Sequence, residues 1–491
     1  MLLWLIAVLA GGGVLAWLSE RMGAAWPQRV ALLVLAVAAV CTAMLWIGGA
    51  DAAGLYALTD LPWIPRFGIG LVLALDGLSL LLVALTVLLG AVAVISSWTE
   101  ISQRHGLFQL NLLMTLAGVV GVFTALDLFA FFVFWEVMLV PMYLLIAIWG
   151  HEERGYASMK FFLFTQISGL LLLVAIIALV LHHQSASGVL TFDYRILLGA
   201  AAGVPAWIML GFLAAFLTKL PGVPLHTWLP DAHTQAPTAG SVILAGIMLK
   251  TGAYGLIRFV VPLFPEASLE LRYPIMLLGA VSVVYGAYVA FAQDDFKRLV
   301  AYSSISHMGF VLLGVFAWNQ VAVQGAVVQM VAHGFSTAAL FMMAGALQER
   351  LHTRDLARMG GLWGRAPRMG AVTLFFVVAS LGMPGLGNFV GEFMVLVGAF
   401  QVNVELTVLA ALGLVVAAAY ALLLMQRSFQ GSPGGSAQGG SAPLQDFGAR
   451  EMAVMLVLAA ALVWLGVYPQ PLLDLSGPVL EGLGTGRGAL P

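Results

Sequence analysis

The sequence predicts an all-α integral membrane protein with about fourteen transmembrane helices. Three observations predict it. Of 491 residues, 62% are hydrophobic and only 9% are charged, whereas a soluble domain carries about 25% charged residues. Apolar runs of about 20 residues, the length that crosses ~30 Å of hydrocarbon, recur along the whole chain. The alternating segments of about ten residues that mark a membrane β-barrel are not visible. A net charge of −2 points to no nucleic-acid partner, and the single cysteine, Cys41, supplies neither a disulfide framework nor a thiolate cluster.

Taken in order, the runs place spans at 2–18, 29–48, 70–97, 107–125, 127–149, 159–181, 204–220 with a broken continuation, 239–261, 271–292, 296–316, 320–347, 369–400, 404–426 and 452–468. The first, "MLLWLIAVLAGGGVLAWL", lacks the charged start and cleavage site of a secretory signal and reads as a retained span. Basic residues set the orientation. Loops after odd-numbered spans hold fourteen, namely Arg21, Arg29, Arg104, Arg154, Lys160, Lys297, Arg298, Arg350, Arg354, Arg358, Arg365, Arg368, Arg427 and Arg450. Loops after even-numbered spans and the C-terminal tail hold five, Arg66, Arg195, Arg258, Arg272 and Arg487, and with Lys219 and Lys250 these account for all 21. The odd loops are therefore expected in the cytoplasm, with both termini on the outer face. Basic segment 348–368 predicts a short surface helix. Residues 431–443, "GSPGGSAQGGSAP", have the composition of a flexible linker. No loop is long enough to bury the core of a soluble domain.

Four charged side chains fall inside spans, although a charge at mid-bilayer costs ~2.5–3.5 kcal/mol on the gentlest scale. They are Glu136 in "LFAFFVFWEVMLVPMYLLI", Lys219 at the end of "WIMLGFLAAFLTK", Lys250 in "SVILAGIMLKTGAYGLIRF" and Glu392 in "GLGNFVGEFMVLVGAF". Structural pairing is the plain alternative, yet a buried ion pair seldom stabilises a protein more than an apolar core would. Lysine and glutamate whose proton affinity depends on their surroundings suit a proton carrier. His307, in "AYSSISHMGF", and His333, in "VAHGFSTAAL", sit among serines and threonines, as the lining of a hydrated path would, and neutral imidazole can both accept and donate. A hydrogen-bonded packing role is the alternative for both. His226 and His233 have no accompanying metal-binding motif. His151, His182 and His183 read as loop residues.

Two spans are interrupted by proline and glycine: the seventh at "TKLPGVPLHTW" and the twelfth at "LGMPGLGNF". Broken spans at corresponding positions point to an inverted-repeat transporter core, and broken backbone at membrane depth survives where protein or a wet cavity surrounds it. An offset of five helices reverses direction in the membrane, so spans 4–8 and 9–13 would form two inverted five-helix repeats. The organisation expected is spans 1–3 (1–106), a first repeat (107–261), an inverted second repeat (271–426), a linker (427–451) and a last span with its tail (452–491).

The residues also resemble a known family. "DLFAFFVFWEVMLVPMYLLI", "TKLPGVPLHTWLPDAHTQAPTAGSVILAGIMLKTGAYGLIRF", "DDFKRLVAYSSISHMGF", "QMVAHGFSTAALFMMAGALQER", "HTRDLARMGGL" and "MPGLGNFVGEF" are similar to the antiporter-like, proton-pumping membrane subunits of respiratory complex I, the NADH–quinone oxidoreductase. Glu392 stands where L- and N-type members carry a lysine, and the chain stops soon after its last span, without the long lateral helix that L-type members append. The resemblance implies roles for matching positions. Glu136 and Lys219 would be a coupled pair, Lys250 the central carrier, His307 and His333 relays, and Glu392 the exit-side carrier. It also implies L-type and N-type neighbours, the bacterial cell membrane as location, and membership of an enzyme whose flavin (FMN), iron–sulfur clusters and quinone belong to partner subunits. No CxxC and no dinucleotide-binding turn on a soluble unit accompany these motifs in this chain. A subunit of a multi-chain sodium/proton antiporter, a hydrogenase- or formate-linked membrane arm, and a passive scaffold are the alternatives.

Overall fold

Short polar residues set where the helices begin. The computed structural model describes residues 1–198, 203–431 and 444–481; residues 432–443 of the expected linker, and the tail beyond 481 with Arg487, lie outside the described residues. Two helices, α1 (Leu2–Ser19) and α2 (Trp26–Ile47), precede an antiparallel hairpin of β1 (Ala57–Ile64) and β2 (Ile69–Leu75). Then follow α3 (Gly77–Ser96), α4 (His105–Thr124), α5 (Leu128–Trp149) and α6 (Arg154–Ser187). The middle of the chain forms α7 (Ala206–Lys219), α8 (Trp228–Gln235), α9 (Thr238–Leu263), α10 (Arg272–Phe291), α11 (Phe296–Phe316) and α12 (Gln320–Leu351). The last elements are α13 (Pro367–Ser380), α14 (Gly387–Phe400), α15 (Val404–Ser428), α16 (Ala449–Val467) and α17 (Gln470–Glu481). Asp76, Asp127, Asp295, Asn319 and Asn403 cap α3, α5, α11, α12 and α15, each accepting a hydrogen bond from a backbone N–H of the first turn.

Twelve helices among the described residues are long and apolar enough to cross a membrane, so the chain is an all-α, multi-pass membrane protein. α9 is the axis: its apolar window is wholly buried, whereas α1, α2, α15 and α16 expose most of theirs. α11 and α12 are nearly as enclosed as α9. α12 packs along α14, α10 along α11, and α6 along α7.

Both interruptions lie where proline and glycine place them. α7 stops at Lys219 and α8 starts at Trp228. The groups released there are satisfied, because Trp228 Nε1 donates to the Thr218 carbonyl at 2.9 Å and Val223 N–H donates to Ser282 Oγ at 3.0 Å. α13 and α14 are separated at Leu381–Leu386, where Gly382 and Gly385 hold φ of 80° and 92°. α5 has a further irregularity at Met138. Pro141 lacks the N–H that would bond the Val137 carbonyl, so the ladder loosens directly after Glu136.

Four expectations are corrected. Residues 70–75 begin no span: they form β2, because a short apolar run reads alike as strand or helix until Asp76 caps the helix behind it. The 348–368 segment is not a surface helix. It continues α12 to Leu351 and then makes two single 3₁₀ turns, Leu356–Arg358 and Leu362–Gly364, since Gly360 and Gly361 hold φ of 120° and 64° and Pro367 starts the next helix. His182 and His183 belong to α6, which runs one and a half turns beyond its apolar core; of the three histidines read as loop residues, only His151 lies in a loop. Arg258, counted among outer loops, is buried within α9. It pairs with Asp76, and its Nε donates to Tyr254 Oη at 3.2 Å.

Candidate functional site

α9 departs from α-helical hydrogen bonding twice, with π-helical turns at Leu244–Met248 and Leu256–Val260. A π turn adds a residue and withdraws a carbonyl from the regular ladder. Lys250 uses such a carbonyl. Its Nζ donates to Ala245 O at 2.5 Å and to His333 Nδ1 on α12 at 2.7 Å. The side chain is 0% exposed, so these two partners replace its hydration.

A line of polar groups runs on from there. The His333 and His307 rings meet edge to face with centroids 5.5 Å apart. His307 Nδ1 donates to Glu392 Oε1 on α14 at 2.8 Å, and Ser380 Oγ donates to His307 Nε2 at 3.1 Å. Glu392 is 2% exposed and also accepts from Gln329 Nε2 at 2.8 Å. Tyr420 Oη lies 3.5 Å from His307 Nε2. Gly382 makes room for the carboxylate, since a Cβ there would stand 2.9 Å from Glu392 Oε2. Four of the residues singled out in the sequence, Lys250, His333, His307 and Glu392, therefore form one buried row across α9, α12, α11 and α14.

Glu136 and Lys219 form a separate pair beside this row. Lys219 is 1% exposed, and its Nζ has no hydrogen-bond partner. The ammonium lies over the rings of Trp135 at 5.3 Å and Phe161 at 5.6 Å, a cation–π cage. Glu136 sits against Gly169 of α6 with Gln166 beside its carboxylate, and its Oε1 is buried without a hydrogen-bond partner. The two interact as charges at a distance. Gly252 brings the pair towards the row: a Cβ on it would come within 2.6 Å of Phe216 O and 2.7 Å of Leu220 N, so α9 touches the backbone at the end of α7.

Gln329, Ser380 and Tyr420 complete the row and were not singled out in the sequence. Gln329 carried a signal, an amide four residues before His333 in an apolar span and so on the same face. Ser380 and Tyr420 carried none, since single hydroxyls are common in such helices. His226 lies edge-on to Tyr285 at 5.0 Å, and His233 stacks on Phe341 at 4.5 Å. No cluster of three or more metal-ligating side chains occurs among the described residues.

Interrupted helices on either side of a buried lysine–histidine–glutamate row define an antiporter-like membrane protein. Residues 125–417 match the family described as NADH:quinone oxidoreductase/Mrp antiporter, TM, and the chain belongs to that family. It is 52% identical over 507 residues to NADH-quinone oxidoreductase subunit M of Pseudomonas aeruginosa, covering 99% of this chain and 98% of that one. It is also 52% identical over 490 residues to subunit M of Escherichia coli K12, covering 97% and 96%. The structure superposes on a chain of respiratory complex I from Thermus thermophilus with bound NADH at a TM-score of 0.88 and 31% identity, covering 99% and 100%. A chain of the Mrp complex from Dietzia shares the fold at a TM-score of 0.85 and 21% identity, covering 98% and 97%.

Proposed function

We propose that this chain is the M-type proton-translocating subunit in the membrane arm of an NADH–quinone oxidoreductase. The observation that carries the reading is the continuous buried row Lys250–His333–His307–Glu392. A charge kept at this depth costs several kcal/mol, and a row of groups that each accept and release a proton gives that cost a purpose. Glu136 tunes the ammonium of Lys219 from a distance; a change in either charge alters the field at Lys250. A proton on Lys250 passes to His333 Nδ1, the far nitrogen of that ring gives up its own, and His307 hands one on to Glu392. Redox energy reaches the row from partner subunits that hold the flavin, the iron–sulfur clusters and the quinone site, with L-type and N-type chains as membrane neighbours.

The interrupted pairs α7/α8 and α13/α14, taken as one crossing each, bring the twelve long helices to fourteen crossings. On this reading residues 107–261 and 271–426 are the inverted repeats, each opening to one face of the bacterial inner membrane, with both termini outside. Reporter fusions at residues 1 and 491 test the orientation; activity of a cytoplasm-only reporter at either end would reverse it.

Lys219→Ala and Glu392→Gln in the assembled complex test the translocation. Proton pumping and NADH–quinone turnover are expected to fall together, and normal pumping by both variants would refute the assignment. A sodium/proton antiporter subunit is the competing reading, but the full-length 52% identity to subunit M chains favours the redox complex over the Mrp likeness, which extends to fold alone.

A further inference from the structure

Translocation along the row leaves one buried ion pair unused. On α9, Tyr254 follows Lys250 by one helical turn and so lies on the same side. Arg258 lies beyond it, towards the outer face in the orientation proposed for the chain. Arg258 pairs with Asp76, the cap of α3, and its Nε donates to Tyr254 Oη at 3.2 Å. Tyr254 Oη donates its one proton to the Phe123 carbonyl of α4 at 3.1 Å and accepts from Ser79 Oγ at 3.3 Å. Ser79 N–H in turn donates to Asp76 Oδ1 at 2.9 Å. One closed network therefore joins α3, α4 and α9 between Lys250 and that face.

Its chemistry is the reverse of a conducting path. A proton hops where a group can take one and give one up. The guanidinium does not release its proton, and the hydroxyl proton of Tyr254 rests on a peptide carbonyl, which has none to pass on. A proton arriving at Asp76 would leave the Arg258 cation buried without its partner, which is strongly unfavourable. Lys219 Nζ, Glu136 Oε1, His333 Nε2 and Gln329 Oε1 are buried with no hydrogen-bond partner, whereas no buried side-chain atom of Asp76, Ser79, Tyr254 or Arg258 lacks one. The carriers have places open for water, and the network has none. The rings of Phe123 and Phe259 flank that of Tyr254, with centroids at 5.3 and 6.3 Å. Packing alone would not call for charges here, since an apolar core of the same volume is as stable or more so.

We propose that the Asp76–Arg258–Tyr254 network is a proton seal, which closes the first repeat towards the outer face so that Lys250 discharges only along the row to Glu392. The proposal rests on the reading of the chain as a proton-translocating subunit. A fixed guanidinium in a water-free constriction repels an approaching hydronium ion, and its satisfied neighbours give water no foothold. Without the seal, protons returning from the outer face would reach Lys250 and dissipate the gradient that the complex builds.

Asp76→Asn combined with Arg258→Gln removes both charges together, keeps the oxygen that caps α3, and leaves a shorter polar pair that admits water. In proteoliposomes of the complete complex, NADH–quinone turnover is expected to persist. The pH gradient, once NADH is spent, is expected to decay about tenfold faster than in the unaltered complex. A purely structural pair predicts native decay, and a proton route predicts that pumping and turnover fall together; either result would overturn the seal. Should the double variant fail to assemble, Tyr254→Phe keeps both charges and frees the Phe123 carbonyl and Arg258 Nε for water. Faster decay at retained turnover is again expected, and native decay would overturn the seal equally. Lys250→Ala separates the two readings. If it stops pumping while the double variant holds its gradient, only the seal fails; if it pumps normally, the translocation reading fails.

Discussion

Trp135 and Gln329 show how single side chains make buried charges tolerable. The Lys219 ammonium has aromatic faces in place of water. Trp135→Leu removes the better face, and unfolding should become easier by about 1–2 kcal/mol; thermal melting of purified protein measures it. Gln329→Leu takes a hydrogen bond from a carboxylate that is 2% exposed. A loss of about 1–3 kcal/mol is expected, with slower pumping, because proton release at Glu392 depends on how its charged form is held. The sequence made the four intramembrane charges legible, since each breaks an apolar run. Their partners were legible only where a polar group shared a helical face with a known one, as Gln329 does with His333. Arg258 was misread because its pairing partner, Asp76, lies 182 residues away.

Elements matter here chiefly where they are irregular. The π turn at Leu244–Met248 turns Lys250 towards His333 and supplies the Ala245 carbonyl. Deleting Gly246 would restore regular winding and rotate that turn by about 100°, so pumping should be lost although α9 remains helical; circular dichroism with a pumping assay separates the two. Gly252 belongs to the same element and sets how near α9 comes to the end of α7. Gly252→Val forces the helices apart and should cost about 1–3 kcal/mol, read as a lower melting temperature. The breaks at Pro221 and Pro384 were plain in the sequence, since proline and glycine act locally. The π turns were not, because nothing in "LAGIM" marks an added residue; the hairpin at 57–75 was hidden by its apolar composition.

At the scale of the whole molecule, acid stability is set where the loops close over the bundle. Burial, and then the nearby charges of Lys297 and Arg354, pull the His151 imidazole down to about 3. An unfolded histidine titrates near ~6.5. As the pH falls through that value, the unfolded chain takes up a proton that the folded chain refuses. Stability should therefore drop on acidification from pH 7 towards 5, by up to about 1.4 kcal/mol per unit and by less because the ring is part-exposed. Melting curves across this range should show a shallower acid slope in His151→Gln. The chain's composition and the spacing of its apolar runs determined by themselves that it is a helical membrane protein, where two of its spans break and that Glu136, Lys219, Lys250 and Glu392 lie within them. These properties follow from hydrocarbon thickness and from backbone chemistry, which act within a few residues. The tertiary structure alone decided that Lys250, His333, His307 and Glu392 form one row while Lys219 stands apart in its aromatic cage. Contacts between residues tens to hundreds of positions apart depend on how helices pack, and packing is settled by the shapes of all the neighbours together.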